Sequence, residues 1–215
     1  MSNECPVVSP PFCDREDGES RACSTVAGVV LAAGSSSRFG QQNKLLAEWA
    51  GAPIVVHAVR AVLQSRVDTV HVVVGDDAER IRTALDDLAV TVVYNDAADA
   101  GQSTSVRRGV EAARRSECDA ILFALGDMPT VTPASHDRLI DAYAAGVGDP
   151  LAAACDGVRG NPVLFDRRHF AALADVTGDI GGRELLRTDD RARCVETGDP
   201  GVLFDIDCQT DLDEL

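Results

Sequence analysis

The chain has 215 residues, 45% of them hydrophobic, and sets 35 Asp and Glu against 20 Lys and Arg for a net charge of −15. That length and apolar content suffice for the core of one medium-sized domain, and the acidic surface repels nucleic acid and anionic membranes, so neither is an expected partner. Every cationic residue except Lys44 is arginine, and an acid-rich, lysine-poor surface also suits concentrated salt, where self-repulsion is screened.

Seven cysteines, Cys5, Cys13, Cys23, Cys118, Cys155, Cys194 and Cys208, form no Cys-x-x-Cys pair and have no His at metal-ligand spacing. Neither a disulfide framework nor a zinc site is expected. No stretch approaches the ~18 apolar residues of a membrane span. Residues 1–24 mix Pro, Asp, Glu, Arg and Ser where a secretory leader is apolar, and their lack of periodicity predicts a flexible tail. The expected organisation is a tail over 1–24 and one domain over 25–215, in a reducing cytoplasm.

From residue 26 onward, strand-like and helix-like segments alternate: 26–33 then 54–63, 69–75 then 78–88, 90–94 then 103–115, 120–125 then 133–144. Runs such as Val70-His-Val-Val-Val74 and Ala120-Ile-Leu-Phe-Ala-Leu125 are near-continuously apolar, the pattern of strands buried on both faces of a parallel sheet. The predicted fold is α/β, a doubly wound, mostly parallel sheet. Shorter strand-like pieces at 151–155, 162–165, 192–196 and 202–206, joined by Gly-rich connections, predict a small mixed C-terminal extension of that sheet. In such folds ligands bind beyond the carboxyl ends of the strands.

The first strand runs into Gly34-Ser-Ser-Ser-Arg-Phe-Gly40, where small side chains leave backbone N–H groups uncovered. This is either a phosphate cradle or a plain strand-to-helix turn. It fits neither the dinucleotide nor the P-loop spacing. Arg38 and Lys44 flank the loop, and a triphosphate held by backbone amides needs such cations. A compact ammonium follows a moving phosphate more readily than a fork-shaped guanidinium, which gives a reason to keep one lysine here.

Leu31-Ala32-Ala33-Gly34, Arg38, Gly40 and Lys44 resemble the Leu-Ala-Ala-Gly-x-x-x-Arg-x-Gly-x-x-x-Lys signature of nucleotidyltransferases related to the molybdenum-cofactor enzymes, with later motifs extending the likeness across 26–210. The resemblance implies a Rossmann-like nucleotidyltransferase in which Leu31, Ala32, Ala33, Gly34, Ser35 and Gly40 bind the nucleotide and Lys44 and Arg38 act on its phosphates. Asp127, in Gly126-Asp-Met-Pro129 after the 120–125 strand, is placed to hold Mg²⁺ against phosphate oxygens. A helix-capping role is the plainer alternative. In Phe204-Asp-Ile-Asp207, strand alternation puts Asp205 and Asp207 on one face. Either they share a cation or they form a solvated acidic edge. Asp207 is preferred to Asp205 as the second metal ligand, and the choice between them stays open because the family's Thr-Pro after this motif is replaced by Cys208-Gln209.

Asn95 and the segment Gly101-Gln102-Ser103-Thr-Ser105-Val-Arg107-Arg108-Gly109 lie where a helix start faces the nucleotide; the family's Gly-Gln-x-x-Ser segment sits beside the nucleoside, and Ser103 is alternatively an N-cap. Arg159 and Asn161 in Gly157-Val-Arg-Gly-Asn-Pro162, with Arg183 in the later Gly-rich stretch, are candidates for the acceptor's phosphate, or else solvated turn residues. His57, His71, His136 and His169 receive no role.

The expected reaction is attack by a phosphorylated acceptor on the α-phosphorus of a nucleoside triphosphate. The resemblance points to CTP and a molybdopterin-type acceptor, with GTP as the runner-up. A non-catalytic nucleotide-binding module that delivers a cofactor to a molybdoenzyme partner is the alternative of another class. An NAD-linked oxidoreductase lacks its Gly-x-Gly-x-x-Gly.

Overall fold

The computed structural model describes residues 5–12, 24–34, 39, 43–176, 178 and 182–213. Strands β1 (Val7–Val8), β2 (Val26–Ala32), β5 (Thr69–Val74), β6 (Thr91–Tyr94), β7 (Ala120–Leu125), β8 (Leu151–Cys155), β9 (Val158–Asp166) and β10 (Arg193–Glu196) form one sheet in the order β1-β10-β8-β9-β7-β2-β5-β6. Its member β9 alone runs antiparallel to its neighbours. A hairpin of β3 (Glu48–Trp49) and β4 (Ala52–Pro53) stands apart.

Helices α1 (Ile54–Leu63), α2 (Ala78–Ala84) and α4 (Pro133–Ala144) cover one face; α3 (Gln102–Arg115), α5 (Phe170–Asp175) and α6 (Arg183–Thr188) cover the other, and a short α7 (Gln209–Asp213) follows. The two cores follow from period-two alternation along β2: Val26, Val30 and Ala32 pack under α1, while Ala27, Val29 and Ala33 pack under α3. A Cβ on Gly28 would sit 2.6 Å from Val62 of α1, and one on Gly109 of α3 would sit 2.6 Å from Val29. Both helices therefore lie close against β2.

The chain leaves β2 for β5 and β6 on one side, then returns through α3 to β7 on the other. The crevice of a doubly wound sheet opens at such a reversal. Leu31 pairs with both Val73 and Leu125 there, which brings the exits of β2 and β7 side by side.

Two expectations need correction. Within the segment read as a tail, Val7–Val8 is an edge strand parallel to β10, with the Cys194 N–H donating to Pro6 C=O at 2.8 Å. A two-residue strand between Pro6 and Pro10 is too short to show alternation in sequence. The strand expected over 202–206 does not form, because the Asp199 carboxylate accepts the Gly201 N–H at 2.9 Å and, with Pro200, starts the 3-10 turn Pro200–Leu203. Asp205 and Asp207 therefore project from irregular chain, held to the turn after β7 by the Ile206 N–H donating to Asp127 C=O at 3.0 Å. No helix among the described residues is long and apolar enough to cross a membrane.

Candidate active site

Lys44 opens the 3-10 turn Lys44–Leu46, which Asn43 caps by accepting the Leu45 N–H on its side-chain oxygen at 3.0 Å. Asn43 and Leu45 are both buried and anchor the turn on either side of Lys44. The Lys44 Nζ lies 2.7 Å from Asp127 Oδ2 and 3.1 Å from Asp207 Oδ1. Burial pulls the ammonium's pKa down, but Asp127 and Asp207 outweigh it and hold Lys44 above the ordinary lysine range. The lysine thus sits on the carboxylates themselves, not across a gap from them.

Asp205 completes the group: burial, and then the negative charges of Asp127 and Asp207, push its carboxyl above the usual range. One ammonium against three carboxylates leaves an excess of negative charge among the described residues. Two hard oxygen donors within reach of one ammonium suit Mg²⁺ or Mn²⁺, which take one or two carboxylates and complete their shell with water and phosphate. No group of three or more His, Cys, Asp or Glu among the described residues forms a protein-only metal cage.

Lys44 and Asp127 line one cavity of about 370 Å³, together with Leu31, Ala32, Ala33, Gly34, Ser105 and the exposed N-terminus of α3. That helix starts at Gln102 after Gly101, whose φ of 102° is easy only for glycine, and among the described residues no side chain caps it. Its partial positive charge faces the cavity, while the Ser103 and Thr104 N–H groups donate to Gly178 and Gly101 C=O. Arg159, Asn161 and Arg183 come together in a second cavity of about 180 Å³, floored by Val106, Phe123, Val163, Phe165, Leu173 and Leu186. Leu31, Gln102 and Leu125 line both cavities.

Two expected contacts face elsewhere. Asn95 is 4% exposed and spends its amide on Thr104 and Ser105, each at 2.9 Å, while its carbonyl accepts the Ala97 N–H at 3.1 Å. Ser103 is 2% exposed, lies in the first turn of α3 instead of capping it, and donates its N–H to Gly178 C=O at 3.1 Å. Both shape the helix start and line neither cavity. Ser35, Arg38 and Gly40 lie outside the described residues. Sequence reasoning missed Asn43, which caps the Lys44 turn, Asp99, which lines the larger cavity, and the apolar floor of the smaller one. Ser105, which also lines the larger cavity, closes the Gly-Gln-x-x-Ser pattern one helical turn beyond Gln102.

The sequence profile of the MobA-like NTP transferase domain matches residues 28–194. The purine catabolism protein PucB of Bacillus subtilis is 30% identical over 200 residues, covering 86% of this chain and 93% of that protein. Nicotine blue oxidoreductase of Paenarthrobacter nicotinovorans is 29% identical, covering 75% and 81%. A match to the bifunctional protein GlmU of Agrobacterium fabrum is 36% identical over 55% of this chain, which spans only 26% of that longer protein. Among solved structures, Rv0371c of Mycobacterium tuberculosis superposes with a TM-score of 0.78 at 28% identity, over 89% of this chain and 96% of that one. A structure of Rv0371c in complex with manganese gives 0.71 at 26% identity, over 89% and 98%. A match spanning most of the ordered sheet, over a cleft of this geometry, places the chain in the MobA-like NTP transferase family as a nucleotidyltransferase.

Proposed function

We propose that the protein is a Mg²⁺-dependent cytidylyltransferase that joins CMP from CTP to a phosphorylated, molybdopterin-type acceptor and releases pyrophosphate. The observation that carries this reading is the pair of adjoining cavities with Leu31, Gln102 and Leu125 in their common wall. The larger one carries phosphate-directed groups. The smaller one combines an apolar, partly aromatic floor with two arginines, which suits a ring system bearing a phosphate.

In this mechanism Arg159 and Arg183 grip the acceptor phosphate and aim one of its oxygens at the α-phosphorus across the common wall. A new P–O bond forms there as the bond to the β-phosphate oxygen breaks and pyrophosphate leaves. Lys44, with Arg38 and the glycine-loop amides, neutralises charge on the triphosphate. Asp127 and Asp207 would hold a Mg²⁺, which would supply Lewis-acid charge to phosphate oxygens. Leu31 and Leu125 keep water out of the junction. Gln102 reads the base or sugar edge. The protein works in the cytoplasm, with a small nucleotide and a phosphorylated metabolite as its partners.

Incubation with CTP or GTP, Mg²⁺ and molybdopterin tests the assignment. Pyrophosphate release with CTP is the expected result. Release with GTP alone transfers the reading to a guanylyltransferase, and tight nucleotide binding with no release makes the protein a delivery module for a molybdoenzyme.

A further inference from the structure

On the face of the sheet that carries the smaller cavity, at its β1 edge, two thiols meet. Cys194 of β10 is the register partner of Val7 in β1, and its N–H donates to the C=O of Pro6, the residue after Cys5. Cys5 is partly buried and packs against the apolar cluster in which Cys194 is 2% exposed. The neighbouring thiol is the largest influence on the acidity of each. It draws Cys5 below the ordinary thiol range, helped by the guanidinium charges of Arg159 and Arg193, and it pushes Cys194 above that range, helped by burial. The pair is therefore asymmetric, with one thiol favouring the anion and a protonated neighbour beside it.

We infer that Cys5 and Cys194 form a hydroperoxide-reactive dithiol whose oxidation fastens the N-terminal strand covalently to β10. The Cys5 thiolate attacks one oxygen of the peroxide, the O–O bond breaks, and Cys5 becomes a sulfenic acid while the leaving hydroxide takes a proton to become water. The Cys194 sulfur then attacks the sulfenic sulfur. An S–S bond forms, and the hydroxyl leaves as a second water carrying the Cys194 proton. The two sulfurs lose two electrons and the peroxide oxygens gain them, so two thiols and one hydrogen peroxide give one disulfide and two waters.

The other described cysteines lack this arrangement. Burial pushes the thiols of Cys118 and Cys155 up, and no cysteine faces either one among the described residues. Cys208 contacts the Thr210 hydroxyl at 2.9 Å. The bond would join residues 5 and 194, closing most of the chain into a loop, and a cross-link of that span restricts the unfolded state strongly.

The test treats the full chain with hydrogen peroxide near stoichiometry, blocks remaining thiols by alkylation, and maps peptides by mass spectrometry without reduction. The expected product links the peptide of residue 5 to that of residue 194, disappears with dithiothreitol and is absent from Cys5→Ser. The oxidised wild type should unfold roughly 5 °C or more higher than the reduced form, a shift that Cys5→Ser does not show. In Cys194→Ala, checked for folding by circular dichroism, Cys5 should over-oxidise to the sulfinic acid because no resolving thiol stands beside it. A link from Cys5 to any other cysteine, alkylation of Cys194 after peroxide treatment, or consumption of Cys208 ahead of Cys5 overturns the inference.

Discussion

The two ends of the sheet each gather aspartates around a cation, and they differ in balance. At the carboxyl ends of the strands, three carboxylates, Asp127, Asp205 and Asp207, share the single ammonium of Lys44. At the amino ends, Asp149 is fully buried and meets Arg168 at 2.5 Å and His169 at 3.2 Å, while Asp189 reaches the same arginine at 2.9 Å. Asp149 also accepts the Asp166 N–H at 3.0 Å. Burial opposes its charge, yet His169, the Asp166 N–H and Arg168 together hold its carboxyl below the usual range. One cluster satisfies its acids with protein groups and ties loops together; the other leaves Asp205 pushed up by burial and then by the charges of Asp127 and Asp207. A surplus of one sign of charge at a strand-end cleft is how a site prepared for a divalent cation differs from a structural ion network.

Substitutions should separate the two clusters. Asp127→Ala removes the carboxylate closest to Lys44 and should lower kcat by about 10³-fold while leaving the unfolding midpoint nearly unchanged, as steady-state pyrophosphate release and thermal scanning would record. Asp149→Asn should do the opposite: about 3 kcal/mol less stable in urea, because Arg168 loses its buried partner, with kcat unaltered in the folded fraction. Comparable activity losses in both variants would erase the distinction.

If Arg183 grips the acceptor phosphate as proposed, Arg183→Ala should raise the acceptor KM roughly tenfold with a smaller change in kcat, since such an arginine acts mainly in binding. An unchanged acceptor KM would remove Arg183 from the site. The smallest effect concerns pH. Because the folded-state pKa of Asp149 is depressed, its stabilising contribution is present above the unfolded carboxylate value of about 3.9 and is lost as pH falls below it. Urea midpoints of the wild type should therefore drop across that range more steeply than those of Asp149→Asn.

Much of this architecture was legible in sequence because parallel strands buried on both faces read as near-continuous apolar runs, as in β5 and β7. Lys44 and Asp127 were legible through their position just beyond such strands, and Arg159 and Arg183 through glycines that allow close backbone approach. Asn95 and Ser103 misled because a polar residue at a helix start looks the same whether it faces a ligand or braces the helix; only the bonds from Asn95 to Thr104 and Ser105 decide it. The Asp205–Asp207 segment misled because alternation predicts a strand, whereas Asp199 and Pro200 turn the chain first. The floor of the smaller cavity was invisible because Phe123, Phe165 and Leu186 have the same apolar character as the core they border.

The most direct measurement is the turnover of Lys44→Ala beside its unfolding midpoint. The account predicts a kcat reduced by roughly 10²-fold or more at a midpoint within a few degrees of wild type. A variant that kept most of its activity would show that the bridging ammonium takes no part in nucleotidyl transfer.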